Sequence, residues 1–469
     1  MGMEASSAGL KIQPRAKYPC RCALTKLLPF LLILFTLLII CHFTASPFTN
    51  PSSPSWPFPN LYNPTYSSQS KLVESLTAKL KDSITFLPLK DLRYSNSPME
   101  GNTWFMSSLN STIEENEPKY LYFPSNSSKG RVLCFKGSHS SDGTKNSYAL
   151  AWPEALPPSA TLLEGLTFVS NTYWNHDNIL HGLNAIAPFV SWSMKNQCMK
   201  PSRWVLLHWG EVEPKMGSWV RNLAKALFGD VGVEIFGKGD GPYCFEKAVV
   251  MRHDLEGIGA QKKLKVFELL RCKAREACGV DPMEMKERGV PTIRMTLLLR
   301  RGARSFKNEE VVKSLFRKEC ERVEGCVLSV IQSDGLSFCD QVRAMTNTDI
   351  LVSPHGAQQT NMLFMERGSS VMEFFPKGWL EHAGIGQYIY HWMATDTGMK
   401  HQGAWRDSVG EECPNPKQEL ECFFFHKDKK IGRNETYFAE WARKVLNEVR
   451  ITKLEQASKK YVRLSGCEC

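Results

Sequence analysis

The feature of this chain that most constrains its fold is an alternation of short apolar runs with longer amphipathic stretches. Short apolar runs between turn signals are typical of buried strands, whereas apolar residues at helical spacing indicate helices. The strand candidates are Trp204–His208, Val233–Ile235, Ala248–Met251, Thr292–Leu299, Cys326–Val330, Ile350–Val352 and Val371–Phe374. The helix candidates are Asn178–Phe189, Trp219–Phe228, Gln261–Ala277, Glu309–Glu321, Phe338–Thr346 and Thr436–Leu454. Buried strands separated by helices favour parallel sheets with right-handed crossovers, so the predicted fold class is α/β.

The length of 469 residues exceeds what one hydrophobic core usually organises. The pattern breaks near Gly289–Pro291, which divides the body into residues 119–290 and residues 291–469. Two facing α/β units hold a ligand in the cleft between them, at the carboxyl ends of their strands. The sequence therefore predicts two domains with a site between them.

The N-terminal region predicts a membrane anchor. Residues 27–45 contain no Lys, Arg, Asp or Glu, and 19 mostly apolar residues are just enough for a helix to cross a hydrocarbon core. Basic residues precede this run and no charged residue follows it until Lys71, so the positive-inside rule assigns residues 1–26 to the cytoplasm and the remainder to the lumen. A cleaved signal peptide is the alternative, which the long tail and the long apolar run disfavour. Residues 46–118, which begin rich in Pro and Ser, are predicted to form a stem.

Twelve of the 15 cysteines follow the apolar run. In an oxidising lumen they are expected to form structural disulfides, and the sequence leaves the pairing open. The closing cysteines Cys467 and Cys469 are expected to form a terminal disulfide, and the spacings predict no metal centre. Acceptor sequons at Asn110, Asn126 and Asn434 lie on the proposed lumenal side and predict N-glycosylation there.

The formal net charge of +10 is spread along the chain rather than concentrated in a run. A nucleic-acid-binding surface needs clustered Lys and Arg with interleaved aromatic residues, so no nucleic-acid partner is expected. The excess fits a solvated basic surface and equally a basic cleft for an anionic ligand.

The first candidate site is the basic loop after the predicted strand that ends at Leu299. Arg300, Arg301 and Arg304 would lie at a strand's carboxyl end, where guanidinium groups bind a diphosphate as bidentate donors. Asn308 is placed to cap the next helix, and it joins the three arginines as a donor-binding candidate. A solvated loop that happens to be basic is the other interpretation, and the local sequence leaves both open.

The second candidate site is a loop of small residues between a strand and a helix, within residues 349–361. Backbone N–H groups at such a helix start bind phosphate oxygens, and His355 is placed to donate to one; a tight turn around a buried histidine is the alternative. Glu373 follows inside an apolar strand, where a carboxylate needs a partner, either ribose hydroxyls or an internal ion pair. The donor-binding candidates here are His355, Gly356, Ala357, Thr360, Asn361 and Glu373.

The third candidate site lies at the start of a predicted helix. His181 follows Asp177 by one helical turn, so the two side chains can share a face. A carboxylate beside an imidazole is a reasonable general base for an acceptor hydroxyl, which makes Asp177 and His181 the catalytic candidates. Polar residues that cap a helix explain the same pattern.

These three segments, in this order, resemble glycosyltransferase family 61, which includes plant xylosyl- and arabinosyltransferases and animal O-linked N-acetylglucosaminyltransferases. DILVSPHGAQQTNMLFM followed by SSVMEFFP is similar to the family's phosphate-and-ribose segment. LLLRRGARSFKNEEVV is similar to its arginine loop, and DNILHGLNAIAPFV to a helix of its first domain. The resemblance covers roughly residues 134–405.

The resemblance implies a GT-B-like α/β architecture, two Rossmann-like domains facing a cleft, preceded here by a single N-terminal transmembrane helix and stem. It implies an inverting transferase that needs neither metal nor cofactor and takes a UDP-sugar as its donor. A pentose or N-acetylglucosamine would be transferred to a glycan or glycoprotein acceptor, with the plant members pointing to cell-wall polysaccharide such as xylan. The anchor then implies a single-pass type II protein of the Golgi membrane with a lumenal catalytic part.

Two departures from the family pattern bear on activity. Gln358 and Gln359 stand where the family has Gly and Leu, which limits how closely the backbone can approach phosphate. Ala185 stands where family members commonly carry Asp or Glu, four residues after the helix histidine. A non-catalytic glycan- or nucleotide-binding scaffold on the same fold is therefore the alternative function.

Overall fold

The computed structural model describes residues 65–89, 106, 109–137, 139, 145–172, 176–208, 210–213, 215–234, 236, 241–252, 255, 257–281, 286–287, 290–458 and 467. By its contacts the chain divides into Met1–Ser68, of which only residues 65–68 are described, and a compact unit, Gln69–Cys469. The predicted anchor at residues 27–45 lies outside the described residues. None of the helices in the described ranges combines the length and apolarity that crossing a bilayer requires.

The first sheet mixes parallel and antiparallel strands. Its strands are β1 (Leu87–Pro88), β2 (Leu121–Phe123), β3 (Val132–Lys136), β4 (Ser147–Ala151), β5 (Thr161–Thr172), β6 (Arg203–His208), β7 (Glu211–Val212), β8 (Gly232–Val233) and β9 (Tyr243–Arg252). Their order is β1-β4-β3-β9-β5-β6-β7, with β2 beside β9 and β8 beside β6. The parallel sheet expected in this half is present in the central part, β9-β5-β6-β8, and antiparallel strands extend it on both sides.

The second sheet is entirely parallel in the part of the chain that the structure describes. It contains β12 (Ile293–Leu299), β13 (Cys326–Gln332), β14 (Ile350–Pro354), β15 (Ser370–Phe375) and β16 (Lys400–Arg406), after a short hairpin of β10 (Lys286–Glu287) and β11 (Val290–Pro291). Its order is β13-β12-β14-β15-β16, which is the 2-1-3-4-5 order of a doubly wound fold. The central strands β14 and β15 are buried along their whole length, as their apolar sequences predict.

Ten α-helices lie within the described ranges. They are α1 (Thr65–Asp82), α2 (Ile179–Lys195), α3 (Ser218–Phe228), α4 (Ala260–Cys278), α5 (Glu309–Glu321), α6 (Phe338–Thr346), α7 (Trp379–His382), α8 (Ile389–Thr397), α9 (Glu419–Lys427) and α10 (Glu435–Ser458), with 3₁₀ helices at Ala357–Phe364 and Gly384–Tyr388. The fold is thus mixed α/β. Helix α2 continues through Pro188 to Lys195, past its predicted end at Phe189.

The region predicted as a stem contains regular structure. Helix α1 lies there, and β1 pairs with β4 of the first sheet. The three sequon asparagines, Asn110, Asn126 and Asn434, are exposed.

Disulfides connect distant parts of the compact unit. The described pairs are Cys134–Cys244, Cys272–Cys467, Cys278–Cys339, Cys320–Cys326 and Cys413–Cys422. Because Cys467 bonds to Cys272 on α4, the expectation of a terminal Cys467–Cys469 disulfide is wrong.

Helix α4, which follows the first sheet, is joined to the second half of the molecule by hydrogen bonds and a disulfide. Arg271 is fully buried and donates from Nε to the Leu363 carbonyl and from Nη2 to the Thr397 carbonyl, each at 2.8 Å. The disulfide Cys278–Cys339 joins the end of α4 to α6. One hydrophobic cluster also contains side chains from both sheets. The two sheets therefore share a core.

Candidate functional site

The carboxyl ends of β12 and β14 meet where the strand order of the second sheet reverses. The arginine loop (residues 300–308) follows β12, and the histidine loop (residues 355–356) follows β14. Connections leave neighbouring strands in opposite directions at such a point, so a crevice opens where doubly wound sheets bind ligands.

Arg300 is held against the histidine loop. Its Nη1 donates to the backbone carbonyl of His355 at 3.1 Å. A Cβ built on Gly356 would collide with the same Nη1, so this position must be glycine for the guanidinium to lie there. The Nε atoms of Arg300 and Arg304 are buried and have no hydrogen-bond partner in the described structure. Buried donors without partners are costly, which indicates that these two groups are arranged to receive an acceptor.

Arg304 is held in an uncommon backbone conformation. Its φ of 59° lies in the left-handed region, which residues with a Cβ adopt only at a cost of about 1 kcal/mol or more. The backbone N–H donates to the Lys429 carbonyl at 3.0 Å, and the guanidinium lies 5.1 Å from the centre of the Trp379 ring. The surrounding chain therefore fixes the direction of this side chain.

The two arginines are partly desolvated cations. Burial lowers the pKa of Arg304 to about 10, and the charge of Arg300 adds to this effect. Burial also lowers the pKa of Arg300, against the opposing influence of Asp334. Both groups stay protonated at neutral pH, and neighbouring cations in a low dielectric favour an anion between them.

Behind the arginines, Glu373 lies between two imidazoles. His355 Nδ1 is 2.7 Å from Glu373 Oε1, and His401 Nε2 is 2.9 Å from Glu373 Oε2. Glu373 is 0% exposed. Of the two partners expected for this carboxylate, the structure contains the internal one. Sequence reasoning missed His401, which lies 28 residues further on in β16.

The charge state of this cluster follows from burial and hydrogen bonding. Burial would raise the pKa of Glu373, but hydrogen bonds from both histidines outweigh it and lower the pKa. Burial lowers the pKa of His355 more than the carboxylate raises it. A neutral His355 that donates from Nδ1 to an ionised Glu373 agrees with the lowered pKa of each group. The imidazole is thereby fixed, and its carbonyl is held where Arg300 needs an acceptor.

The 3₁₀ helix Ala357–Phe364 joins the two halves. Asn361 donates from Nδ2 to Gln341 Oε1 at 2.9 Å and accepts at Oδ1 from Trp219 Nε1, on α3, at 3.0 Å. Gln358 lies beside it at the cleft surface and donates to Ser353 Oγ at 3.1 Å. The departure from the family's glycine therefore places an amide, hydrogen-bonded to the end of β14, in the cleft wall.

The opposite wall comes from the start of α2. Asn178 caps this helix by accepting from the Leu180 N–H at 3.1 Å. Asp177 lines the cleft, whereas His181, within the helix, is not among the lining residues. Burial raises the pKa of nearby Glu213, and the charge of Asp177 adds to this effect.

The two walls enclose a cleft of about 430 Å³. One wall is formed by Asp177, Asn178, Ile179, Ser218 and Trp219, and the other by Arg300, Arg301, Arg304, Ser333, Asp334, Gln341, Ala357, Gln358 and Asn361. All three candidate segments of the sequence therefore contribute to one cleft. Within the described ranges, no group of three or more His, Cys, Asp or Glu side chains is arranged to hold a metal ion.

The remaining candidates fall into two groups. His355, Gly356, Thr360 and Glu373 are buried beneath the cleft wall. Asn308 is exposed and is not among the lining residues; it occupies the N-cap position of α5, but its side chain accepts no hydrogen bond from that helix. Asn308 thus occupies the predicted N-cap position, without the side-chain hydrogen bond expected of a cap. Sequence reasoning did not find Ser333 and Asp334, because a short turn after a strand carries no distinctive pattern.

Fold and cleft together define an α/β protein with a crevice suited to an anionic ligand. Residues 163–372, somewhat less than half of the chain, match the family model described as Glycosyltransferase 61. The resemblance to glycosyltransferase family 61 is therefore confirmed for this segment, which contains every residue that lines the cleft. The segment is shorter than the region of residues 134–405 that the motifs suggested.

Part of the chain is also similar in sequence to proteins that are named as N-acetylglucosaminyltransferases. The chain is 40% identical over 77 residues to the protein O-linked-mannose β-1,4-N-acetylglucosaminyltransferase 2 of Mus musculus, and 39% identical over the same length to that of Homo sapiens. These 77 residues are 16% of this chain and 13% of each relative. The similarity thus covers about an eighth of the relatives' length.

Proposed function

We propose that this protein is an inverting, metal-independent glycosyltransferase that transfers a sugar from a UDP-sugar to a glycan or glycoprotein acceptor. The observation that carries the proposal is the cleft, in which Arg300 and Arg304 face Asp177 across the junction of the two halves. The family match of residues 163–372 supports the same reaction class.

The proposed chemistry uses the two walls for different tasks. The acceptor hydroxyl attacks the anomeric carbon, its oxygen–carbon bond forms, and the bond between that carbon and the diphosphate oxygen breaks. Arg300 and Arg304 stabilise the negative charge that develops on the leaving diphosphate. Asp177 takes the proton from the acceptor hydroxyl, and attack on the face opposite the diphosphate inverts the anomeric carbon.

His355 has an indirect part in this proposal. Its Nδ1 faces Glu373 and its carbonyl holds Arg300 Nη1, so it positions the guanidinium instead of contacting phosphate through that nitrogen. His181 remains a catalytic proposal through its place one turn after Asp177.

A pentose or N-acetylglucosamine is the proposed sugar. The relatives named above are N-acetylglucosaminyltransferases by name, and the motif resemblance extends to plant pentosyltransferases. We further propose a Golgi membrane location, with residues 27–45 as the anchor and the cleft in the lumen. The exposed sequons and the disulfides agree with an oxidising compartment.

Replacing Arg300 tests the proposal. Arg300→Ala should reduce transfer from the cognate UDP-sugar by about 10²- to 10³-fold, because a preorganised donor to the developing charge is lost. Folding should be unaffected, as checked by circular dichroism and melting temperature. The matched control is Arg317→Ala, which removes an exposed guanidinium from α5 outside the cleft. Wild-type turnover in Arg300→Ala would contradict the assigned role.

A non-catalytic nucleotide- or glycan-binding scaffold is the second candidate. The observation that favours it is Ala185, which is 2% exposed within α2 where family members commonly carry an acid. A screen of UDP-sugars for slow donor hydrolysis separates the two functions. Release of UDP from any donor supports the transferase, whereas measurable UDP binding without hydrolysis of any donor supports the scaffold.

A further inference from the structure

The cleft wall that carries the arginines also carries one carboxylate, Asp334. We propose that Asp334 accepts hydrogen bonds from the 2′- and 3′-hydroxyls of the donor's ribose, so that the site requires a ribonucleotide. This assignment rests on the nucleotide-sugar function proposed above and adds a specificity-determining residue to it.

Glu373, the residue expected from the sequence to contact ribose, is already fully engaged. Each of its carboxylate oxygens is bonded to an imidazole, at 2.7 Å to His355 and 2.9 Å to His401. A diol would have to enter the core and displace one of these bonds, which would leave a buried imidazole without its partner. A carboxylate that faces the cleft is needed instead.

The strand order places Asp334 beside the arginine loop, where a carboxylate can reach the ribose of a nucleotide whose phosphates that loop binds. It follows β13 by two residues, and β13 lies parallel and next to β12, on the side opposite β14. Arg301 Nε donates to Gln332 Oε1 at 3.2 Å, which ties the end of β13 to the arginine loop. In the dinucleotide-binding doubly wound folds the loop after the first strand holds the phosphates, and an acid after the adjacent second strand accepts a ribose hydroxyl. The order β13-β12-β14 reproduces that arrangement.

The charge of Asp334 gives a second, independent reason. A carboxylate in a cleft that binds a diphosphate repels the ligand; the charge of nearby Arg300 offsets part of this cost, and hydrogen bonds from neutral donors offset more of it. Asp334 is exposed to the cleft and takes part in no ion pair within 4 Å in the described part of the chain. Its oxygens are therefore accessible to hydroxyl groups. The other lining carboxylate, Asp177, belongs to the opposite wall.

Calorimetric titration with four ligands tests the assignment: UDP, 2′-deoxy-UDP, 3′-deoxy-UDP and inorganic pyrophosphate. The wild-type protein should bind UDP about tenfold or more tightly than either deoxy analogue, because hydrogen bonds to a charged acceptor are lost. In Asp334→Asn this preference should fall to about twofold or less. Affinity for pyrophosphate should stay the same or rise, since a repelling charge is removed. A purely structural effect of the substitution would weaken all four ligands together.

The control is Glu440→Gln, which neutralises an exposed acid on α10 outside the cleft and should keep the wild-type preference. Equal binding of UDP and its deoxy analogues by the wild-type protein would overturn the assignment, as would an undiminished preference in Asp334→Asn. Both outcomes leave nucleotide binding, and hence the proposed function, intact. Failure of the wild-type protein to bind UDP would instead overturn the proposed function together with this assignment.

Discussion

At Gly356 the histidine loop and the arginine loop come into contact. A Cβ there would collide with Arg300 Nη1, which is the movable end of a long side chain. Gly356→Ala should therefore displace the guanidinium without unfolding the sheet. We expect UDP affinity to fall by about tenfold or more, the loss of one charge-assisted hydrogen bond, as measured by calorimetry.

The control for backbone strain is Gly368→Ala. Gly368 also has a positive φ, 84°, but a Cβ there would meet nothing within 4 Å. It should lower the melting temperature through strain alone and leave UDP affinity unchanged. Equal affinities of Gly356→Ala and the wild-type protein would show that Arg300 does not hold the donor.

Individual site residues differed in how far the sequence could place them. Strand ends and loop composition were enough to bring Arg300 and His355 to one edge of a parallel sheet, where the structure joins them by a hydrogen bond. The sequence also showed that a carboxylate at Glu373 needs a partner. It could not identify His401 as one of the two, because that contact depends on β16 pairing with β15 across a register shift. Asp334 was missed because the sequence does not show that β13 lies next to β12, which is what brings the turn after β13 to the cleft.

At the scale of elements, helical periodicity was a better guide than strand composition. The bounds of α5 and α6 agree with those the pattern predicts. The longest strand of the first sheet, β5, was missed because Gly165, with φ 82°, interrupts it and its buried end carries Ser, Asn and Thr. The polar edge strand β16 was missed for a similar reason, since it lacks the apolar run that marks a buried strand.

Helix α4 contributes stability through Arg271. Its guanidinium donates to two backbone carbonyls at the ends of the 3₁₀ helix Ala357–Phe364 and of α8, and to Glu268 at 2.5 Å. Arg271→Met keeps much of the buried volume but leaves those carbonyls without this donor. We expect the free energy of unfolding to fall by about 3 kcal/mol, measured by urea denaturation.

Lys273→Met, on the same helix, is the matched control. Lys273 pairs with Glu276 one turn away at 2.8 Å, a pair near the surface. Its loss should change the free energy of unfolding by about 0.5 kcal/mol or less. Similar midpoints for Arg271→Met and Lys273→Met would mean that the two carbonyls find other donors.

At the scale of the whole molecule, the sequence predicted two α/β units, and the structure contains two sheets around the predicted break. A sequence pattern locates strands and helices but does not reveal which apolar faces meet. In the structure, Leu207 of the first sheet, Leu298 of the second and Tyr390 of α8 belong to one hydrophobic cluster. The site therefore forms across a shared core, and each wall depends on the other for its position.

This shared core should make the compact unit unfold in one step. Calorimetry of the oxidised protein should give a single transition with equal calorimetric and van't Hoff enthalpies. The disulfide Cys278–Cys339 closes a loop across a sequence separation of 61 residues, so its removal in Cys278→Ser/Cys339→Ser should cost about 4 kcal/mol and lower the transition temperature. The transition should nevertheless stay single, because the apolar contacts between the halves do not require the crosslink. Two resolved transitions in the variant would show that the disulfide, and not the core, couples the sheets, and two in the oxidised protein would show that each sheet folds as an independent domain.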